Sequence, residues 1–398
     1  MTAVLPTART PAQALGAARQ IASGFAARAE AYDRDGEFPV ADFAALREVG
    51  LLGLMTPVEL GGAGAGFADY AEVAMVLAEG NGATALVFNM HASVTGALAR
   101  TSDELARALG VPDSYFQMRD RVLAQAATGA FYAVAMSERG AGSRLSAMTT
   151  TYSPVDGGFR IVGSKTFCSG AGYADAYLVA AKAAGSDPAK VSHFLVPAGD
   201  GITVERTWDS MGMRATGSHD LHLDVVAPPE GLLGGLEGLT LLLGEVMPQW
   251  LIASYAAVYV GVAAAAVSTA ATYAARRGLD RLPLVRARLG RADAAVAAAR
   301  EVVRTAARLV DTDPGTEETN RWIWRAKLLA GDTATQVAGS LLEACGTAAT
   351  RRGHPLERLY RDARCGALQP ATSDVCADWL GLAVLDRDPD ADAEVPRW

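Results

Sequence analysis

Two short stretches hold the residue types best suited to chemistry. Met136-Ser137-Glu138-Arg139-Gly140-Ala141-Gly142-Ser143 sets hydroxyl side chains beside two glycines. Without a Cβ in the way, such a turn can bring backbone N–H groups against a ligand. Lys165-Thr166-Phe167-Cys168-Ser169 adds a flat aromatic ring between hydroxyls. Between the two lies Gly157-Gly158, flanked on both sides by apolar residues with polar breaks, a pattern that predicts an antiparallel β-hairpin. A hairpin there brings Ser137, Phe167 and Ser169 to one site. A hairpin with an idle turn is the plainer alternative.

The elements that must position this site change character along the chain. Thr10 to Gly50 and Tyr70 to Arg100 read as helices, the second carrying Asn89-Met90-His91. A lone histidine among apolar helical residues is more often a satisfied core residue than a reactive one, so His91 has two readings: packed core, or a donor beside the site. From Phe131 to Val225 seven short β runs follow, at 131–136, 147–152, 159–162, 176–181, 193–196, 202–206 and 220–225. His219 and His222 are expected to flank a strand on its exposed face. After Pro228-Pro229 helices return. The expected fold is α+β: an N-terminal helical domain (1–128), a middle antiparallel β-barrel or sandwich domain (129–228) and a C-terminal four-helix bundle (229–398).

With 398 residues, half of them hydrophobic, and a net charge of −8, the chain can bury a large core. The acidic balance and the lack of a Lys/Arg block argue against nucleic acid and against a polybasic membrane anchor. Cys168, Cys345, Cys365 and Cys376 are widely separated with no Cys-x-x-Cys, so neither a metal site nor a disulfide framework is expected, in keeping with a cytoplasmic location. Residues Met1 to Pro11 lack the apolar core of a secretory signal. Val246 to Ala275 carries no charge, but its Ala and Gly content and Pro248 favour a buried central helix over a membrane span.

The two stretches together resemble the middle domain of acyl-CoA dehydrogenases. The family pattern is a hydroxyl-Glu-Pro-Gly-Ala-Gly-Ser-Asp turn followed by Asn-Gly-x-Lys-x-aromatic-Ile-Ser/Thr. Here Arg139 replaces Pro, Arg144 replaces Asp, and Phe167-Cys168 replaces Trp-Ile. Further motifs fall in family order: Leu51 to Gly64, Met211-Gly212-Met213-Arg214-Ala215-Thr216 and Tyr360-Arg361-Asp362-Ala363-Arg364. The resemblance implies FAD, or FMN, lined by Met136, Ser137, Phe167 and Ser169. It also implies Ser143 facing the carrier end of a substrate, Arg277 meeting a phosphate of the cofactor, and a homodimer or homotetramer whose neighbouring bundle completes the site.

Three departures bear on the reaction. Dehydrogenation α,β to a thioester needs a carboxylate held opposite the flavin to take the weakly acidic α proton. The family's usual Glu follows the Arg-Asp-Ala motif, and that position holds Pro370. The alternative position on the central helix falls on Leu251 or Gln249, which leaves Glu245 as the surviving carboxylate. The dinucleotide-binding runs are eroded as well, to Arg277-Gly278-Leu279 and to Glu343-Ala344-Cys345-Gly346, where Glu343 takes the place of a Gln that would approach a pyrophosphate.

The first expectation is therefore a flavin-dependent α,β-dehydrogenase of an acyl thioester, on CoA or a carrier protein, with Glu245 as base and electron-transfer flavoprotein as redox partner. The alternative is a monooxygenase of the same fold. It would take reduced flavin from a separate reductase, act on a small molecule, and need a dry cavity with a donor from His91, Ser137 or Ser169 instead of a base. A scaffold that has lost flavin is the third reading.

Overall fold

The computed structural model describes residues 7–100, 102–108, 110–238 and 249–387, with only the backbone course given for 249–254. Helix α1 (Pro11–Asp35) starts where Thr10 accepts from the Gln13 N–H and Pro11 fills the first turn. It stops at Gly36, whose φ of 66° suits a residue without a Cβ. Ala14, Ala18, Ile21, Phe25 and Ala29 recur at helical spacing on its buried face, which packs against α3 (Phe67–Gly80). After α2 (Val40–Glu48), α3 and α4 (Gly82–Ala99) complete the inner layer, and α4 is buried over nearly its whole circumference. Helices α5 (Asp103–Ala108) and α6 (Asp113–Ala127) close this part.

The middle part is one seven-stranded sheet: β1 (Tyr132–Ala135), β2 (Thr151–Val155), β3 (Gly158–Cys168), β4 (Ala176–Ala183), β5 (Val191–Pro197), β6 (Ile202–Glu205) and β7 (His219–Ala227). The expected hairpin is present, with Val155 paired to Gly158 across the turn. The sheet is not antiparallel throughout, however. β1 and β2 both run parallel to β4, along consecutive parts of its edge, while β5 lies antiparallel on the other edge. The expected antiparallel barrel is thus corrected to a mixed sheet, because the long excursions after β1 and β2 allow same-direction pairing that short hairpin loops do not. Two local expectations also change. Leu145–Ala147 is a helical turn, so β2 begins later than the run at 147–152 suggested. His219 is buried at 7% exposure with its Nδ1 accepting from the Trp208 N–H, whereas His222 lies exposed and bonded to Glu205.

Helices α7 (Gln249–Arg277), α8 (Pro283–Thr312) and α9 (Glu317–Cys345) pack together, with α10 (Pro355–Arg364) and α11 (Ser373–Val384) against α9. The stretch Tyr255–Arg277 is long and apolar enough to cross a membrane, yet α3, α4, α8, α9 and α10 surround it as the central helix. A Cβ on its Gly261 would lie 2.6 Å from Ala78 Cβ, so glycine permits the close crossing with α3.

The three parts are pinned at one junction. Arg361 of α10 binds both carboxylate oxygens of Asp33 in α1, at 2.9 and 2.6 Å, and also Glu357 and the Met211 carbonyl. Its neighbour Asp362 accepts from the Met213 N–H at 2.6 Å. These contacts account for the Arg361-Asp362 and Met211-Gly212-Met213 motifs as a structural clamp, whatever the reaction.

Candidate active site

The turn after β1 closes on itself through paired backbone bonds between Glu138 and Gly142, and nothing lies within 4 Å of a Cβ placed on Gly140 or Gly142. Its outer face is therefore open. Arg139 ties the turn to Asp220 of β7 at 2.8 Å. Inside, Glu138 and Lys165 form a buried ion pair at 2.8 Å, with side chains 3% and 0% exposed. Glu138 also accepts from the Thr149 N–H and hydroxyl and from the Thr150 N–H, and Lys165 donates to the Met136 carbonyl. Burial would raise the Glu138 pKa, but bonds from Lys165, Thr149 and Thr150 outweigh it and hold the carboxyl down at about 2.

This lock sets the glycine turn against the end of β3. Thr166 donates its N–H to the Ser137 carbonyl at 2.8 Å, so the two motifs meet as the sequence suggested. The pairing of β3 with β7 slips between Lys165 and Cys168, and there Phe167 adopts a φ of 57°. A bulky residue in this region stores about 1–2 kcal/mol of strain. The result is an aromatic ring that is 61% exposed, supported edge-on by Trp208 at 6.0 Å. A large ring presented outward on strained backbone beside an open glycine turn is what a flat aromatic ligand needs on one face.

Ser169 is buried and belongs to a hydroxyl chain. Thr216 donates to the Met213 carbonyl at 3.0 Å, so the 2.6 Å bond from Ser218 uses the Ser218 proton and the 2.9 Å bond from Ser169 uses the Ser169 proton. That leaves the Ser169 oxygen with lone pairs to offer. With its proton committed to Ser218, Ser169 is not the free donor that the sequence suggested. Ser137, Met136 and Ser143 are half-buried around the same turn. Trp208, Ser218 and the Glu138–Lys165 pair were not singled out from sequence. The spacing of Glu138 and Lys165 within the two motifs was the available signal.

The other sequence candidates lie elsewhere. His91 is 1% exposed, with Nε2 donating to the Leu52 carbonyl at 2.6 Å and Nδ1 accepting from the Tyr132 N–H at 3.1 Å. Burial lowers its pKa to about 4. Both ring nitrogens are occupied by backbone, so the catalytic expectation is corrected in favour of the core reading. Glu245 lies outside the described residues. Arg277 sits exposed on the last turn of α7. Glu343, expected to repel a pyrophosphate, is paired with Arg288 at 2.6 Å, which removes much of that objection.

Pro370 is half-buried in the loop between α10 and α11. The nearest preceding carboxylates are committed, Glu357 to Arg361 and Asp362 to Met213 and Arg358. The adjoining Gln369 keeps a buried Oε1 without a hydrogen-bond partner.

A helical, sheet, helical chain with an open aromatic shelf on its middle sheet defines a class of cofactor-binding oxidoreductase, and comparison with known proteins places it. Family models for the acyl-CoA dehydrogenase N-terminal, middle and C-terminal domains match residues 13–112, 133–226 and 253–378. The chain belongs to the acyl-CoA dehydrogenase family. It is 32% identical to an L-evernosamine nitrososynthase of Micromonospora sp., covering 91% of this chain and 88% of the relative. It is 29% identical to the mitochondrial short-chain specific acyl-CoA dehydrogenase of Bos taurus, over 86% and 82%. The crystal structure of FMN-bound TdsC from Paenibacillus sp. A11-2 superposes with a TM-score of 0.82 at 26% identity, covering 96% of this chain and 98% of that one. The fold is thus one of flavoprotein oxidoreductases that includes both dehydrogenases and oxygen-using members.

Proposed function

We propose that this chain is a cytoplasmic, reduced-flavin-dependent monooxygenase acting on a small molecule, with flavin supplied by a separate reductase. The observation that supports the reading is the state of the loop after α10: Glu357 and Asp362 are both consumed by ion pairs and backbone bonds, and the resemblance read from the sequence puts Pro370 where the family carries its carboxylate. Bound flavin supplies two-electron chemistry and, when reduced, activation of dioxygen. The protein's part is positional. Phe167 packs on the ring face with Trp208 behind it, Ser169 accepts from a ring N–H, and the Ser137 hydroxyl and turn N–H groups meet the polar edge. The Glu138–Lys165 pair holds these groups in place. Ser143 faces the substrate side, and Arg277 meets a cofactor phosphate from a neighbouring subunit in a homodimer or homotetramer. The relationship to an L-evernosamine nitrososynthase and to FMN-bound TdsC supports this reading.

The second reading is α,β-dehydrogenation of an acyl thioester with Glu245 as base and electron-transfer flavoprotein as acceptor. It is favoured by the Glu343–Arg288 pair, which offsets the negative charge that would oppose the remote half of FAD. Anaerobic titration of the oxidised holoenzyme with acyl-CoAs from butyryl to dodecanoyl separates the two. The proposal expects unchanged flavin absorbance with all of them, and bleaching by any one, lost in Glu245→Gln, establishes the second reading.

A further inference from the structure

Phe167 and Met213 carry bulky side chains on left-handed backbone, at φ of 57° and 52°. Such backbone is unfavourable for both, so each persists only where its surroundings over-determine it. Met213 is 1% exposed, and its N–H is fixed by Asp362 of α10 at 2.6 Å. Phe167 is mostly exposed, so burial does little to hold its ring. Trp208 joins the two. Its indole Nε1 donates to the Met213 carbonyl at 3.2 Å, and its ring stands at 89° to that of Phe167 with centroids 6.0 Å apart.

The indole is held from both ends. The Trp208 backbone N–H donates to Nδ1 of His219 at 3.1 Å, and His219 pairs in register with Cys168, the residue after Phe167. The Met213 carbonyl also accepts from the Thr216 hydroxyl at 3.0 Å, so the acceptor that Trp208 uses is itself fixed. An edge-to-face aromatic pair gains about as much as left-handed backbone costs a bulky residue. Without the indole edge, Phe167 is expected to relax toward negative φ, which swings its ring out of the shelf.

We propose that Trp208 is a positioning residue for the flavin: it carries the anchoring of Met213 by Asp362 through to the ring of Phe167, so that α10 takes part in fixing the cofactor's face. The assignment rests on the placement of flavin against Phe167 proposed above, and on neither reaction in particular.

The test is spectral titration of the flavin-free full chain with FMN and with FAD, for wild type, Trp208→Leu, Phe167→Ala and the double variant. Trp208→Leu is expected to weaken binding about threefold to tenfold, the worth of one aromatic pair. Because it acts through Phe167, it should weaken binding by less than about twofold where Phe167 is already Ala. A merely structural role would carry the same loss into both backgrounds. Trp208→Phe keeps an aromatic ring but cannot donate to Met213. It should weaken binding about twofold to fivefold, and it takes the place of Trp208→Leu in the cycle should that variant fail to fold. Undiminished affinity in either Trp208 variant, or equal losses in both backgrounds, overturns the proposal while leaving the placement of flavin intact. Wild-type affinity in Phe167→Ala, or no flavin binding by wild type, removes the placement and the proposal with it.

Discussion

Replacing Lys165 with Met should loosen the whole site through one buried contact. Lys165 and Glu138 are 0% and 3% exposed, so the variant leaves a carboxylate in the core with threonine donors but no cation. Wild-type folding lowers the Glu138 pKa from 4.5 to about 2, which corresponds to about 3 kcal/mol of stability at neutral pH. Loss of one partner from a buried pair costs about 3–5 kcal/mol, in agreement. The sign follows from the direction of the shift. The wild-type contribution is complete above pH 4.5 and is lost as pH falls towards 2, so about 1 kcal/mol of it is gone by pH 3.5. Urea unfolding at pH 7 should therefore place Lys165→Met about 3 kcal/mol below wild type, and the difference should narrow at pH 3.5. Flavin affinity should fall with it, because Lys165 also holds the Met136 carbonyl. An unchanged urea midpoint at pH 7, or a difference that does not vary with pH, refutes the reasoning.

Arg361→Met should cost about 3–5 kcal/mol in thermal or urea unfolding by stranding Asp33, and Arg361→Lys should not restore it, because the lost contact is bidentate. Phe167→Ala should shift the urea midpoint by less than about 0.5 kcal/mol, since the ring is mostly exposed, yet weaken flavin binding about threefold to tenfold in a spectral titration. His91 is buried neutral with a pKa lowered to about 4, so stability should fall as pH drops from 6.5 towards 4, by up to about 3 kcal/mol. His91→Gln should flatten that slope in pH-dependent unfolding while leaving any activity inflection near neutrality unchanged.

The hairpin was legible because Gly157-Gly158 is a local signal, and the convergence of Ser137 with Thr166 to Ser169 followed from it. The parallel pairing of β1 with β4 was not, since it joins segments distant in sequence whose direction no local pattern encodes. The φ of 57° at Phe167 arises from a register slip against β7, a tertiary event. His91 offered two readings, and the choice was made by the Leu52 carbonyl and the Tyr132 N–H, both supplied by other elements. The Arg361-Asp362 motif was legible as a local match to the family pattern, but its contacts were not. Its contacts with Asp33 and Met213 give it a structural reason to persist, so it does not discriminate between reactions.

The reaction itself is tested most directly by mixing the photoreduced holoenzyme with oxygenated buffer and recording oxygen consumption and oxidised-flavin absorbance in the same experiment. A monooxygenase site built around Ser137, Ser169 and Phe167 predicts that oxygen is consumed first, with oxidised flavin returning only after a lag. Simultaneous return of the two signals, in an enzyme whose flavin is bleached anaerobically by an acyl-CoA, contradicts the account.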